Sequence, residues 1–204
     1  MLCFDIGANI GKWSTANISK FEKIIAVEAS PITYAELYKN INNDNIIPLN
    51  YAICDNNNED ITFYHSECDV ISTLNKDWLA NEKSRFNNKN KFKEIIVKTT
   101  TLDDLIQRYG VPDLIKIDVE AAEYECIKSL TQKVNLLCFE WASELNDITF
   151  NCLIYLTKLG FTQFHIQYED KYIYEPVGFS EVNDVINALK KTTPKKEWGM
   201  IWCK

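Results

Sequence analysis

The sequence predicts an α/β fold, a mostly parallel, doubly wound sheet with an antiparallel hairpin near its C-terminal end. Three observations predict it. Short apolar runs alternate with segments of helical periodicity, the pattern of strands joined by crossover helices. The run Phe4-Asp5-Ile6-Gly7-Ala8-Asn9-Ile10-Gly11 puts a glycine turn where the first strand meets the first helix. An acid, Glu28, closes the second run about 20 residues later, the spacing at which folds of this class meet a ribose.

Taken in order, Leu2 to Ile6 reads as the first strand and Lys12 to Lys20 as the first helix. Ile24 to Glu28 is the second strand. Ser30-Pro31 opens the next helix, since Pro31 suits the first helical position, where a missing N–H costs nothing. Ile46 to Ile53 reads as a third strand, with Pro48 as its weak point. Asp60 to His65 is an added strand or hairpin arm. Residues 66–93 are rich in Asn, Lys and Ser and lack periodicity, so they read as a long irregular loop, either a lid or disordered. Glu94 to Lys98 resumes as a strand. Thr101, with Asp104 three residues on, caps a helix running to Gly110. Leu114 to Asp118 is a strand, followed by a helix through about Leu130, and Val134 to Glu140 is the next strand. The helix from Asp147 stops before Gly160, which suits a left-handed cap. Phe161 to Tyr168 and Lys171 to Glu175 form the expected hairpin around Glu169-Asp170. Glu181 to Lys191 is the last helix and Trp198 to Cys203 the last strand.

The 204 residues fit a single domain, 1–204, with no internal repeat and no dividing linker. A net charge of −7 argues against nucleic acid as the main partner, because that binding needs a basic surface. The lysine runs Lys89, Lys91, Lys93 and Lys190, Lys191, Lys195, Lys196 read as solvated loop or helix ends. Seven cysteines, Cys68 among them, make an odd count without a CxxC pair, the usage of reduced thiols in a cytoplasmic protein. No run spans a bilayer, and no signal peptide opens the chain.

Ligands of such folds sit at the carboxyl ends of the strands. Gly7 and Gly11 let the backbone approach a ligand, and Glu28 can accept hydrogen bonds from both ribose hydroxyls. A dinucleotide site would show GxGxxG for close, uncharged contact with a pyrophosphate. Here the pattern is GxxxG, preceded by the carboxylate of Asp5. That charge would repel a pyrophosphate and attract an ammonium, at about 4 kcal/mol in a poorly solvated cleft. S-adenosylmethionine carries an ammonium and a sulfonium, so the acids favour it over NAD or FAD. Alternatively, Asp5 caps a helix and Glu28 is a surface residue. Tyr51 is placed to stack on an adenine or to pack in the core.

With these residues in view, the chain resembles the FkbM family of methyltransferases. FDIGANIG at 4–11, VEASP at 27–31, TTTLDDLIQRYGVPDLIKIDVEAAEYECI at 99–127 and CFE at 138–140 carry the match. The resemblance implies a Rossmann-like class I methyltransferase fold. It implies cofactor binding by Asp5, Gly7, Asn9, Gly11 and Glu28, with Ala29 in the same motif, and it places Asp118 and Glu120 at the active-site mouth. Ser72, with Thr73, lies where family members often have a serine pair near the cofactor. The implied chemistry is O-methylation of a sugar or natural-product hydroxyl. Two departures stand out. Ala121 occupies a position that is usually glycine. The chain also begins directly at the first strand, where many members carry a preceding segment, so it reads equally as a minimal domain or one excised from a larger protein, and a sugar-modifying domain would fit beside or fused to glycosyltransferases.

Methyl transfer needs an acceptor oxygen held in line and a base for its proton. Asp118 and Glu120 alternate to one side of a strand end and are the first candidates for that base. With Glu140 they also make a set able to hold a divalent metal, though a metal is not expected. His65 is the further catalytic candidate, next to the irregular loop, whereas His165 reads as structural. Tyr168, Tyr172 and Tyr174 would form either a platform for a sugar or hairpin packing. Two alternatives compete, a catalytically silent module that binds the cofactor or a partner, and an oxidoreductase on the same fold.

Overall fold

A computed structural model describes residues 1–66, 71–80 and 91–204. Its strands are β1 (Leu2–Ile6), β2 (Lys23–Val27), β3 (Ile46–Leu49), β4 (Ala52–Ile53), β5 (Asp60–Ser66), β6 (Phe92–Thr100), β7 (Leu114–Ile117), β8 (Leu136–Ala142), β9 (Phe164–Tyr168) and β10 (Trp198–Cys203). The helices are α1 (Lys12–Asn17), α2 (Pro31–Asn40), α3 (Lys76–Ala80), α4 (Leu102–Tyr109), α5 (Glu123–Ile127), α6 (Asn146–Lys158) and α7 (Val182–Leu189), with a 3-10 turn at Ile18–Lys20.

Seven strands form one sheet in the order β3-β2-β1-β7-β8-β10-β9. From β1 the chain builds outward to β2 and β3, then returns to place β7 on the other side. The switch point therefore lies between β1 and β7, and a crevice opens above their carboxyl ends. β3, β2, β1, β7 and β8 run parallel, and β10 lies antiparallel between β8 and β9. Central strands of such a sheet are buried on both faces, which is why their sequences are apolar runs. Phe4, Ile6, Ile115, Ile117 and Phe139 face α4 to α7, and Cys3, Ala26, Leu114 and Cys138 face α1 and α2.

The local signals act as expected at the caps. The Ser30 hydroxyl accepts from Thr33 N at 3.3 Å, and Thr101 Oγ1 accepts from Asp104 N at 3.0 Å. Pro48 is tolerated because β3 is an edge strand.

Three expectations are corrected. Ile46 to Ile53 is not one strand. The Asn50 side chain donates to the carbonyls of Glu28 (2.8 Å) and Ala29 (2.9 Å), the chain turns, and β4 joins a second sheet in the order β4-β6-β5. Lys171 to Glu175 is not the second arm of a hairpin, because β10 has taken the place beside β9. Tyr174 instead folds onto His165, its hydroxyl 2.6 Å from Nε2, and packs against Trp202. The irregular stretch is partly regular: Thr73 bridges to Tyr64, α3 follows, and β6 begins at Phe92. Cys68 and Lys89 lie outside the described residues, while the other six cysteines are buried free thiols. Among the described residues no helix is long and apolar enough to cross a membrane.

Candidate functional site

The crevice at the switch point holds a cavity of about 390 Å³. Its floor is the glycine turn leaving β1. Gly7 N and Ala8 N both donate to Val27 O at 2.9 Å, which ties the end of β1 to that of β2. Gly7 has φ +76°, and a Cβ there would sit 1.7 Å from the Asp118 carbonyl oxygen, so only glycine fits. Asn9 (φ 50°) and Gly11 (φ +86°) continue the left-handed path into α1.

Glu28 lines the cavity on the β2 side. Its two carboxylate oxygens accept from Asn9 N (3.0 Å) and Ser30 N (2.9 Å), which fixes the group in one orientation. Each oxygen keeps a further lone pair for a ligand hydroxyl. Burial pushes the Glu28 carboxyl up to about 7, against the pull of those two N–H groups. Ala29, Tyr51, Ile53, Phe63, Ser72 and Leu74 extend this side as a mostly apolar pocket. The Arg108 guanidinium lies 5.8 Å from the centre of the Tyr51 ring, a stacking contact that steadies the ring.

Asp5 does not line the cavity as the sequence suggested. It is fully buried beneath it. Oδ2 accepts from Ser14 Oγ at 2.6 Å and Oδ1 pairs with Lys116 Nζ at 3.2 Å. Strand register explains the displacement: β1 and β7 set Asp5 beside Lys116 on one face, with Asp118 one step further along that face. Lys116 reaches Asp118 Oδ2 at 3.3 Å and donates to Gly7 O at 3.3 Å. Burial alone would lower its basicity, but the carboxylates of Asp118 and Asp5 outweigh that and hold it above the ordinary lysine range.

Asp118, Glu120 and Glu140 meet across the β7 and β8 ends. Carboxylate oxygens of the three lie within 4.8 Å of one another. Such a set of hard oxygen donors can hold a divalent cation or take a proton from a hydroxyl. The turn that presents Glu120 is strained, since Glu120 (φ 54°) and Ala121 (φ 68°) are both left-handed without being glycine. The Ala121 departure therefore leaves the left-handed turn in place. A strap at residues 71–78 holds it. Thr73 Oγ1 donates to the Glu120 carbonyl, and Asn75 Nδ2 donates to the Ala121 carbonyl at 3.2 Å. Glu123 closes the turn by accepting from Val119 N at 3.2 Å, and burial raises its carboxyl to about 7.

His65 is placed elsewhere. Its Nδ1 sits 3.0 Å from Ser30 Oγ and 3.5 Å from Ser72 Oγ, behind the wall that carries Glu28, and it is not among the residues lining the cavity. Asp170 and Lys116 are among the lining residues that the sequence does not single out. Asp170, at the turn after β9, lines the cavity with Tyr172, and burial and the Asp118 charge raise its carboxyl. Lys116 was a legible oddity, a lysine inside a central strand that should be apolar on both faces.

Comparison with known proteins gives the arrangement a context. The chain is 28% identical over 144 residues to the hexuronic acid methyltransferase AglP of Haloferax volcanii. The match covers 67% of this chain and 54% of that protein, so the chain spans about half the length of its curated relative. In fold it is similar to the precorrin-6y C5,15-methyltransferase of Geobacter metallireducens, with a TM-score of 0.50 and 10% identity over 100% of this chain and 79% of that one. Residues 5–185 match the methyltransferase FkbM domain, and the chain belongs to this family of S-adenosylmethionine-dependent methyltransferases.

Proposed function

We propose that the chain transfers the methyl group of S-adenosylmethionine to a hydroxyl of a sugar or glycan. The observation that carries this reading is the continuity of one cavity, from the fixed carboxylate of Glu28, across the glycine turn, to Asp118, Glu120 and Glu140. Tyr51, Ile53, Phe63 and Leu74 offer an apolar seat for an adenine, and Glu28 offers two acceptors for a ribose diol. When bound, S-adenosylmethionine supplies an electrophilic methyl on a sulfonium. The chain's part is to hold an acceptor hydroxyl in line, worth ~7–11 kcal/mol, and to take its proton onto Asp118 or Glu120, worth roughly 10²–10⁴-fold. The name of the Haloferax relative supports a sugar as acceptor, and Tyr172 offers a ring beside the acids. A single domain working beside glycosyltransferases, within one chain or apart, fits that chemistry.

A panel of glycans incubated with isotopically labelled S-adenosylmethionine and read by mass spectrometry tests the proposal. One sugar class should gain a labelled methyl, and Glu120→Gln should slow the reaction by roughly 10²–10⁴-fold. Activity that survives chelation leaves the three acids as proton acceptors and hydrogen-bonding groups. Activity lost to chelation and restored by a divalent ion puts a cation among them. Failure to bind S-adenosylmethionine at millimolar concentration would sink the reading.

A further inference from the structure

The sequence assigns the cofactor's ammonium to Asp5, yet Asp5 is sealed under the floor and its charge is already met by Lys116. An ammonium carries three N–H donors. At Lys116 three acceptors surround it: Asp5 Oδ1 at 3.2 Å, Asp118 Oδ2 at 3.3 Å and Gly7 O at 3.3 Å. The side chain is 5% exposed. Lys116 donates to Gly7 O and stands at ion-pair distance from both carboxylates, against the wall of the cavity. Its contacts join one buried anion to two groups on the cavity floor. One is the carbonyl of the glycine turn. The other is the carboxylate of Asp118, whose side chain is 25% exposed and lines the cavity. Without the cation between them, Asp5 and Asp118 would be two like charges on neighbouring strands, and each would turn from the other.

We propose that Lys116 is a positioning residue, whose ammonium fastens the Asp118 carboxylate and the Gly7 carbonyl in the arrangement that receives the amino-acid head of the methyl donor. The proposal rests on the reading that this cavity takes S-adenosylmethionine. It transfers the role of ammonium acceptor from Asp5 to Asp118, leaves the acceptor's proton to Glu120, and makes Asp5 the counter-ion that keeps Lys116 in place.

The test separates the head of the cofactor from its nucleoside. Lys116→Met alone leaves Asp5 as a bare buried charge, so the informative variant pairs it with Asp5→Asn, which removes both charges and keeps an acceptor for Ser14. Titration calorimetry compares S-adenosylhomocysteine, which has the amino-acid head, with 5′-methylthioadenosine, which lacks it. In the double variant the first should lose roughly 10–100-fold in affinity and the second stay within about twofold. Equal loss of both ligands, or loss of neither, overturns the assignment. If the unchanged protein binds neither ligand, the cofactor reading fails first and takes the assignment with it. Should the double variant not fold, the structure of the unchanged protein with S-adenosylhomocysteine decides. The ammonium of the head within hydrogen-bond distance of Asp118 or the Gly7 carbonyl, with Lys116 still holding both, upholds the proposal. Lys116 bound instead to the ligand's carboxylate refutes it.

Discussion

Two turns face each other across the crevice, and both run through left-handed backbone. The turn after β1 uses Gly7 and Gly11, with Asn9 between them. The turn after β7 uses Glu120 and Ala121. The first is glycine because another backbone occupies the space: a Cβ on Gly7 would sit 1.7 Å from the Asp118 carbonyl. The second has room for side chains and needs them, since Glu120 carries a carboxylate of the site. Its left-handed residues cost of order 1–2 kcal/mol each, and the hydrogen bonds from Thr73 and Asn75 offset that cost. A turn forced by close approach is thus written locally as glycine, whereas a turn held from outside depends on a segment some 45 residues earlier in the chain.

The largest effect is expected at Gly7. Gly7→Ala should abolish binding of S-adenosylhomocysteine and cost more than ~4 kcal/mol of stability, because the clash is with backbone that cannot give way. A soluble variant that binds normally in calorimetry would refute the close-approach argument.

Acidity comes next, because it bears on what the first turn holds. Binding a diol requires the ionised form of Glu28, and its carboxyl sits at about 7 in the free protein. Cofactor affinity should therefore fall as pH drops below about 7, by up to ~10-fold per unit, read by calorimetry between pH 5.5 and 8 (roughly the window of the shift). The stability sign is opposite. Glu28 and Glu123 hold protons more tightly folded than unfolded, so stability of the free protein should decline as pH rises from 4.5 towards about 7. An affinity flat across that range would show that Glu28 does not meet the ligand.

Removing the strap's contacts is the third test. Thr73→Val removes the hydroxyl that donates to the Glu120 carbonyl and should cost about 1–3 kcal/mol, seen as a drop of several degrees in Tm. It should also slow methyl transfer more than Ile96→Thr, an exposed strand substitution. The smallest effect belongs to Ala121→Gly. Relief of the left-handed strain and loss of a buried methyl oppose each other, so the net should lie within ~1 kcal/mol and favour the glycine. A loss above about 2 kcal/mol would mean that the methyl's packing against Ile71 and Trp78 outweighs the strain.

How much of this was legible follows the same division. Leu2–Ile6, the Ser30 and Thr101 caps and the glycine turn are local matters, in which a residue's own sterics or its nearest N–H groups decide. The three acids were legible as residue types, but alternation does not place them: β7 ends at Ile117, and Glu120 reaches Asp118 and Glu140 from the left-handed turn beyond it. The errors are all questions of partnership. Ile46 to Ile53 has strand composition throughout, but the Asn50 side chain claims two carbonyls of another loop and breaks the run. Lys171 to Glu175 alternates well enough to pair, but β10 arrives from the far end of the chain and occupies the place. The place of His65, with Nδ1 beside Ser30 and Ser72, is likewise set by partners far along the chain or across the loop.

By itself the sequence determined the doubly wound sheet, the glycine turn and the acids at the strand ends, because these follow from periodicity, backbone freedom and residue type within a few residues. Only the tertiary structure decided which acid faces the cavity and which is buried with a lysine under it. That choice depends on the register between β1 and β7, which lie more than a hundred residues apart, and on the cost of burying a charge without a partner.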